Sequence, residues 1–266
     1  MRTFSAEYLR RTRAGMWADS RAALAALDLP HRERVLDVGC GTGELSRVLI
    51  EEGAASVLGV DVDAELLAVA REHVPVVRGD AMTLPFGEDA ADLVVCQALL
   101  INLPDPGAAV AEFARVSNDL VAAIEPDNGA VRVRSTVPTE ARLSRRARAA
   151  YVAGVGTNVE LGADAASLFE AAGLEHVASE RYEHRRTIEP PYDADALGDA
   201  RRKATGARLE ETRATLLDGT LDAESYESLR EDWRAMGRDV VGQIRAGEYE
   251  REEVVPFHVT VGRVSD

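Results

Sequence analysis

The chain has 266 residues, of which 46 % are hydrophobic, and a formal net charge of −15 at pH 7. This length supports one large α/β domain, or one such domain with a helical addition, and the apolar content excludes global disorder. Lys203 is the sole lysine, so arginine carries nearly all of the positive charge. Because no basic stripe stands out, a nucleic-acid partner is unlikely on charge alone.

The N-terminal sequence and the two cysteines bear on where in the cell the protein is located. No apolar leader is present, and no apolar run approaches the ~20 residues needed to cross a bilayer. We therefore expect a cytoplasmic protein without membrane contact. Cys40 and Cys96 are predicted to be buried thiols rather than a disulfide. The five histidines lack the spacing of metal ligands, so no metal site is predicted.

Residues 1–30 are predicted to form an N-terminal helical cap. One or two helices are expected between residues 5 and 28, and Asp19 or Ser20 could begin the second. Pro30 ends this region.

A glycine-rich turn follows. Residues 34–38 predict a buried parallel strand, and Gly39-Cys40-Gly41-Thr42-Gly43 allows a tight turn close to a ligand. The helix after the turn directs N–H groups at that ligand. Glu44 stands where the dinucleotide-binding pattern would have its third glycine. Asp37, inside the strand, suits a ligand with positive charge.

The next strands also end in polar residues. Asp61 ends the second strand, where a carboxylate can accept from both hydroxyls of a ribose, whereas Asp63 is placed to cap the next helix.

Residues 117–119 are predicted to form a turn with a left-handed residue before the fifth strand. Glu125 ends that strand. Strands two to five are predicted at 56–60, 74–77, 92–96 and 120–124, with a helix at 106–116 before the fifth.

The segment Val35-Leu-Asp-Val-Gly-Cys-Gly-Thr-Gly43 resembles the first motif of the class I S-adenosylmethionine-dependent methyltransferases. Asp61, Asp80 and Gln97 stand after the next three strands, in the order that the family would have them. The resemblance covers roughly residues 33–126. It implies an α/β fold with a Rossmann-like, doubly wound, seven-stranded and mostly parallel sheet.

The resemblance also implies that S-adenosylmethionine binds at these strand ends. Asp80 and the backbone of Ala81 would read adenine, Met82 would pack on the ring, and Gln97 would contact the methionine end. Family members often close the site with N-terminal aromatic residues, so Tyr8 and Trp17 either form such a lid or pack on the sheet edge. The full implied set is Asp37, Gly39, Cys40, Gly41, Gly43, Asp61, Val62, Asp80, Ala81, Met82 and Gln97.

Residues 31–266 are predicted to be one methyltransferase domain. It would consist of a cofactor-binding core at 31–138, a substrate-side helical elaboration at 139–250 and a final strand within 251–266. The elaboration is expected to contain a strand at 174–187 and two long helices over 194–247, which would act as a lid over the substrate.

The predicted reaction is methyl transfer to an oxygen, nitrogen or carbon of a small molecule. The catalytic base is unknown, with Glu125, His184 and Tyr151 as candidates and Tyr192 as a further one. A non-catalytic S-adenosylmethionine-binding or regulatory module and an RNA methyltransferase are the alternatives. The oligomeric state is open, and a dimer is possible. The surplus of acid with a single lysine resembles halophile proteins, whose self-repulsion is screened by salt.

Overall fold

The structure is a computed structural model that describes residues 4–265, and these residues cluster into two compact units. The first unit comprises the described residues up to Asp127, then Leu161–Glu183 and the residues from Pro256 onward. The second comprises Asn128–Glu160 and His184–Val255.

The strands are short at the start of the chain and longer toward its end. Their bounds are β1 Val35–Val38, β2 Val57–Asp61, β3 Val76–Arg78, β4 Ala91–Gln97, β5 Ser117–Pro126, β6 Arg132–Ser135, β7 Glu175–Ile188 and β8 Arg251–Arg263.

The helices alternate with the first five strands and then dominate the second unit. Their bounds are α1 Ala6–Arg13, α2 Glu44–Glu51, α3 Ala64–Ala70, α4 Pro106–Val116, α5 Glu140–Gly154, α6 Ala165–Ala171, α7 Ala194–Thr205, α8 Ala207–Glu210, α9 Arg213–Asp218 and α10 Ala223–Ala246. Short 3₁₀ turns lie at Arg21–Leu27, Leu29–His31, Leu100–Asn102 and Gly162–Asp164.

The first unit is built on a mostly parallel sheet in the order β3-β2-β1-β4-β5-β8, to which β7 is added by pairing with β8. The first five strands pair in parallel, and β8 runs antiparallel to β5. Strands β1 and β4 are buried along most of their length, as expected for parallel strands covered on both faces. The predicted Rossmann-like α/β fold class is confirmed.

The second unit is mainly helical and has its own apolar core. Tyr226, Leu229, Trp233 and Met236 project from α10 into this core, where Leu143 of α5 joins them. Strand β6 pairs antiparallel with residues 251–254 of β8. No helix within residues 4–265 is both long and apolar enough to span a membrane.

Three expectations about local structure were wrong, and one strand was not predicted. Residues 117–119 continue directly from α4 into β5, because Asp119 pairs with Arg32 at 2.6 Å and with Arg263 at 2.8 Å and keeps the segment extended. The second N-terminal helix begins after Ser20, as predicted, but it is a 3₁₀ helix, and the Ser20 hydroxyl donates to the Met16 carbonyl instead of capping it.

The other two errors concern the second unit. Residues 194–247 form four helices rather than two, since Gly206 adopts a φ of +78° and ends α7. Strand β6 was not predicted, because its charged, partly exposed residues lack an apolar alternation. The helix cap at Asp63 was predicted correctly, as its carboxylate accepts from the amides of Glu65 and Leu66.

Candidate functional site

The carboxyl ends of the parallel strands meet at one edge of the first unit's sheet. Val38 of β1 is in register with Val60 of β2 on one side and with Cys96 of β4 on the other. The Val60 carbonyl accepts from the amide of Gly39 at 2.7 Å and from that of Cys40 at 3.0 Å, which ties the glycine turn to β2. In open α/β sheets, ligands bind at this edge.

The glycine turn between β1 and α2 adopts the left-handed backbone that its sequence indicates. Gly39, Gly41 and Gly43 have φ values of +72°, +56° and +83°. Glycine suits this left-handed turn, and a Cβ on Gly41 would lie 2.9 Å from a methyl of Leu9, whose side chain would have to shift. The Gly41 amide donates to Asp61 at 2.9 Å, which joins the turn to the end of β2.

Asp37 is a buried carboxylate with one oxygen left without a partner. It is 1 % exposed, and its Oδ2 accepts from the Ser46 hydroxyl at 2.5 Å. No group among residues 4–265 donates to Oδ1. Burial raises the pKa of Asp37 to about 6, although the Ser46 hydrogen bond favours the charged form. A buried acceptor without a donor is rare, and here it lies directly before the glycine turn.

Three more of the predicted residues lie beside this turn. The Cys40 thiol is buried and free, and burial raises its pKa, so it is not a thiolate nucleophile. Cys96 is likewise free and buried, which agrees with the prediction of no disulfide. Asp61 accepts from Gly41 through one oxygen and from the Asp63 amide through the other, at 2.9 Å each. Val62 follows and is half-buried.

The segment after β3 folds back as a tight turn. The Asp80 carboxylate accepts from the Met82 amide at 2.9 Å, and the Asp80 carbonyl accepts from the Thr83 amide at 3.0 Å. Asp80 is exposed, whereas Ala81 and Met82 are half-buried against the first unit's core. The turn therefore presents a carboxylate and an apolar side chain at the same edge of the sheet.

Gln97, the last residue of β4, also carries a buried acceptor without a partner. Its Nε2 donates to the sulfur of Met16 at 2.6 Å, whereas Oε1 receives no hydrogen bond from the described part of the chain. The next residue, Ala98, has a φ of +49°, a strained conformation for a residue with a Cβ. Strain of this kind is often found at functional sites.

Arg13 was not among the predicted site residues. Its guanidinium donates to the Gln97 carbonyl at 3.5 Å, lies 3.8 Å from the Glu44 carboxylate and is 3.5 Å from a Cβ built on Gly41. It thus stands over the glycine turn. The sequence offered one signal, since Leu9 and Arg13 are four residues apart and share a helix face.

Glu125 lies at the end of β5, as predicted, but is fully buried. Its carboxylate accepts from the amides of Leu99 and Leu100 at 3.0 and 2.9 Å and from that of Ile101 at 3.4 Å. Burial raises the pKa of Glu125 to about 7, although the three amides favour the charged form. The contacts of this side chain hold the turn after β4.

The other candidates for a catalytic base belong to the second unit. His184 is buried and Tyr151 is half-buried beside that unit's core. The Tyr192 hydroxyl donates to the Tyr249 carbonyl at 3.0 Å and accepts from the Tyr249 amide at 2.9 Å. Among residues 4–265, no group of three His, Cys, Asp or Glu side chains is arranged to hold a metal ion.

Comparison with known proteins supports a methyltransferase assignment for the first part of the chain. Residues 36–119 match the family described as the methyltransferase domain. The ubiquinone biosynthesis O-methyltransferase of Thiobacillus denitrificans is 38 % identical over 109 residues, which is 38 % of this chain and 44 % of that protein. The demethylmenaquinone methyltransferase of Lactiplantibacillus plantarum is 36 % identical over 107 residues, which is 36 % of this chain and 45 % of that protein. The chain thus spans less than half the length of these curated relatives.

Solved structures share the fold over more of the chain. The YcgJ protein of Bacillus subtilis superposes with a TM-score of 0.52 at 18 % identity, covering 92 % of this chain and 98 % of that one. Sequence identity this low supports a shared fold but not a shared function. The match to the methyltransferase domain spans residues 36–119, which lie in the first unit.

Proposed function

We propose that this chain is an S-adenosylmethionine-dependent methyltransferase that acts on a small molecule. The observation that carries the proposal is Asp37 Oδ1, a buried carboxylate oxygen without a donor beside a glycine turn. The ammonium group of S-adenosylmethionine would supply that donor, and its charge would pair with the carboxylate.

The other strand-end residues fit the remaining parts of the methyl donor. The Asp61 oxygens have lone pairs left for the ribose hydroxyls, because a carboxylate has about four acceptor positions. Asp80 and the Ala81 amide would bind adenine, with Met82 against the ring. Arg13 would pair with the donor's carboxylate, since its guanidinium already lies over the turn. Gln97 Oε1 would accept from the same amino-acid end.

Methyl transfer requires little of the protein beyond positioning the methyl donor and the acceptor. The bound sulfonium supplies an activated methyl group with a good, neutral leaving group. The donor would supply its methyl group with loss of the neutral thioether, and solvent or a base would take any proton that the acceptor gives up. The strand-end residues hold the donor rigidly so that the acceptor can reach near-attack distance. Glu125 is too enclosed by backbone amides to be the base, and we infer that it positions the turn after β4.

The acceptor is a small molecule in this proposal, as the names of the two relatives are those of quinone methyltransferases. Whether oxygen, nitrogen or carbon is methylated depends on the acceptor itself. We also propose that the acidic, lysine-poor composition suits a high-salt medium, since salt would screen the repulsion among surplus carboxylates.

Calorimetric titration with S-adenosylhomocysteine, which retains the ammonium and carboxylate groups, tests the proposal. We expect binding in the micromolar range, no binding of NAD, and a loss of about 2–4 kcal/mol in Asp37→Asn, on the scale of a buried charged hydrogen bond. Glu65→Gln, an exposed substitution on α3, is the matched control and should bind as the wild type does. Binding of NAD without binding of S-adenosylhomocysteine would overturn the assignment. Binding without turnover of any acceptor in a metabolite screen would favour a non-catalytic module.

A further inference from the structure

The chain turns sharply at Ala98, directly after β4. The φ of Ala98 is +49°, in the left-handed region, where the Cβ of an L-residue is crowded by the backbone. Within residues 4–265, the other residues with a Cβ and a positive φ are Asp28 and Asp89, and aspartate tolerates this region better than alanine does. A strained residue keeps such a conformation only where the surrounding contacts hold it.

Hydrogen bonds on both sides of the turn hold this conformation. The Ala98 amide donates to the Ile124 carbonyl at 2.9 Å, and the Ala98 carbonyl accepts from Asn102 Nδ2 at 2.7 Å. The Glu125 carboxylate binds the three amides that follow Ala98. Asn102 therefore provides a side-chain contact on the strained residue itself, whereas Glu125 acts on the residues after it.

The stability of the fold alone does not account for an amide side chain at Asn102. The residue is 7 % exposed, and its Oδ1 receives no hydrogen bond from the described residues. A buried acceptor without a donor destabilises a folded protein, and a leucine, with the same branching, would avoid that cost. The bond from Nδ2 to Ala98 is the contact of Asn102 that a leucine could not make.

The strained turn is in direct contact with the residues proposed to hold the methyl donor. The Gln97 carbonyl, which belongs to the peptide unit before Ala98, accepts from Arg13 at 3.5 Å. On the other side of Ala98, the Leu99 side chain packs on the glycine turn, since a Cβ on Gly39 would lie 2.8 Å from a Leu99 methyl. A change of φ at Ala98 would rotate these two neighbours relative to each other, so that both contacts could not be kept.

We propose that Asn102 is a positioning residue of the methyl-donor site, which it serves by holding Ala98 in the left-handed conformation. That conformation keeps the Gln97 carbonyl beside Arg13 and the Leu99 side chain on the glycine turn. The proposal rests on the methyltransferase function proposed above. Without the Asn102 bond, Ala98 would relax to a negative φ in most molecules, and only the remainder would bind the donor. The apparent affinity would then fall in proportion to the binding-competent fraction.

Calorimetric titration of the full chain with S-adenosylhomocysteine tests this role. We expect Asn102→Leu to weaken binding about tenfold, which corresponds to a competent fraction of about one tenth. Adding Ala98→Gly to this variant should restore the affinity to within about twofold of the wild type, because glycine adopts a positive φ without strain. Asn128→Leu is the matched control. It removes a bond of 2.8 Å from a side-chain amide to the Val159 carbonyl in the second unit and should leave the affinity unchanged.

The restoration by glycine distinguishes positioning from a merely structural role. A structural bond would change the melting temperature, and Ala98→Gly would not restore the affinity for S-adenosylhomocysteine. If Asn102→Leu does not fold, Asn102→Asp replaces it, because an ionised carboxylate has the same shape and no donor. The proposal is overturned if the folded Asn102 variant binds as the wild type does, or if Ala98→Gly fails to restore its affinity. Failure of the wild type to bind S-adenosylhomocysteine would instead remove the methyltransferase function itself, so the two failures are distinguishable.

Discussion

Asp37 illustrates how a single residue can lower the stability of the ligand-free protein and still strengthen the binding of a ligand. The carboxyl is removed from water, receives one hydroxyl hydrogen bond and has an elevated pKa. Its folded pKa, about 6, is above the ordinary Asp value near 4, so the folded protein retains a proton that the unfolded chain releases. The contribution of Asp37 to the stability of the fold therefore decreases as the pH rises from about 4 to about 6. A bound cationic group would offset the cost of burying the charged carboxylate.

The same pKa predicts how ligand affinity depends on pH. Protonated Asp37 cannot pair with an ammonium group, so the affinity for S-adenosylhomocysteine should fall as the pH drops below about 6. The loss should approach roughly tenfold per pH unit. Calorimetric titrations between pH 5 and 8 measure it. Asp37→Asn is the control and should bind weakly with a much flatter profile. An unchanged wild-type profile across that range would argue against an ionic role for Asp37.

Among the elements, α7 carries the chain's one lysine at an unusual depth. Lys203 is 3 % exposed, and its Nζ lies 2.7 Å from Glu140, 2.9 Å from Asp199 and 3.2 Å from the Tyr249 hydroxyl. Burial alone would raise the pKa of Glu140, but Lys203 and Arg251 hold it below its ordinary value. Since the pKa of Glu140 is depressed, the stabilisation is present at neutral pH and is lost as the pH falls well below 4.

Removing the charge of Lys203 should therefore destabilise the second unit. We expect Lys203→Met to lower the free energy of unfolding by about 3–5 kcal/mol at pH 7, because Glu140 would remain buried with Arg251 as its main cationic partner. Urea denaturation measures the loss. Arg201→Met changes an exposed cation two residues earlier on the same helix and should stay within about 0.5 kcal/mol of the wild type. Equal effects of the two substitutions would contradict a specific role for the buried pair.

At the scale of the whole molecule, the net charge of −15 is the dominant electrostatic feature. Carboxylates repel one another over about 10 Å at 0.1 M salt, but over only about 3 Å at 1 M. Local ion pairs such as Arg32–Asp119–Arg263 offset this repulsion only where they occur. The folded state should consequently depend on the ionic strength of its medium.

We expect the melting temperature at pH 7.5 to rise steeply between 0.1 M and 2 M KCl, because screening relieves repulsion that is greatest in the compact state. Differential scanning calorimetry provides the measurement. The same salt step near pH 5 serves as the control, as the net charge approaches zero near the pI of about 4.9 and the effect should shrink. A melting temperature that does not respond to KCl at pH 7.5 would contradict the proposal that the acidic, lysine-poor composition suits a high-salt medium.

The sequence was informative where function depends on local backbone. The glycine turn, Asp61 and Gln97 could be placed because each follows directly from a strand with a clear apolar pattern. Arg13 could not be placed, since its role depends on where α1 packs in three dimensions. The extended conformation of Asp119 was missed for the same reason, as its two arginine partners are distant in the chain. Tertiary contacts outweighed the turn propensity of that segment.

The two tryptophans have a practical consequence, because each unit holds one of them. Trp17 belongs to the first unit and Trp233 to the second. In Trp233→Phe, the tryptophan fluorescence would come from Trp17 alone and would report on its contact with Tyr182. In Trp17→Phe, the emission would follow the core of the second unit. Recording both variants during one denaturant series would show whether the two units unfold together or in separate steps, without any attached dye.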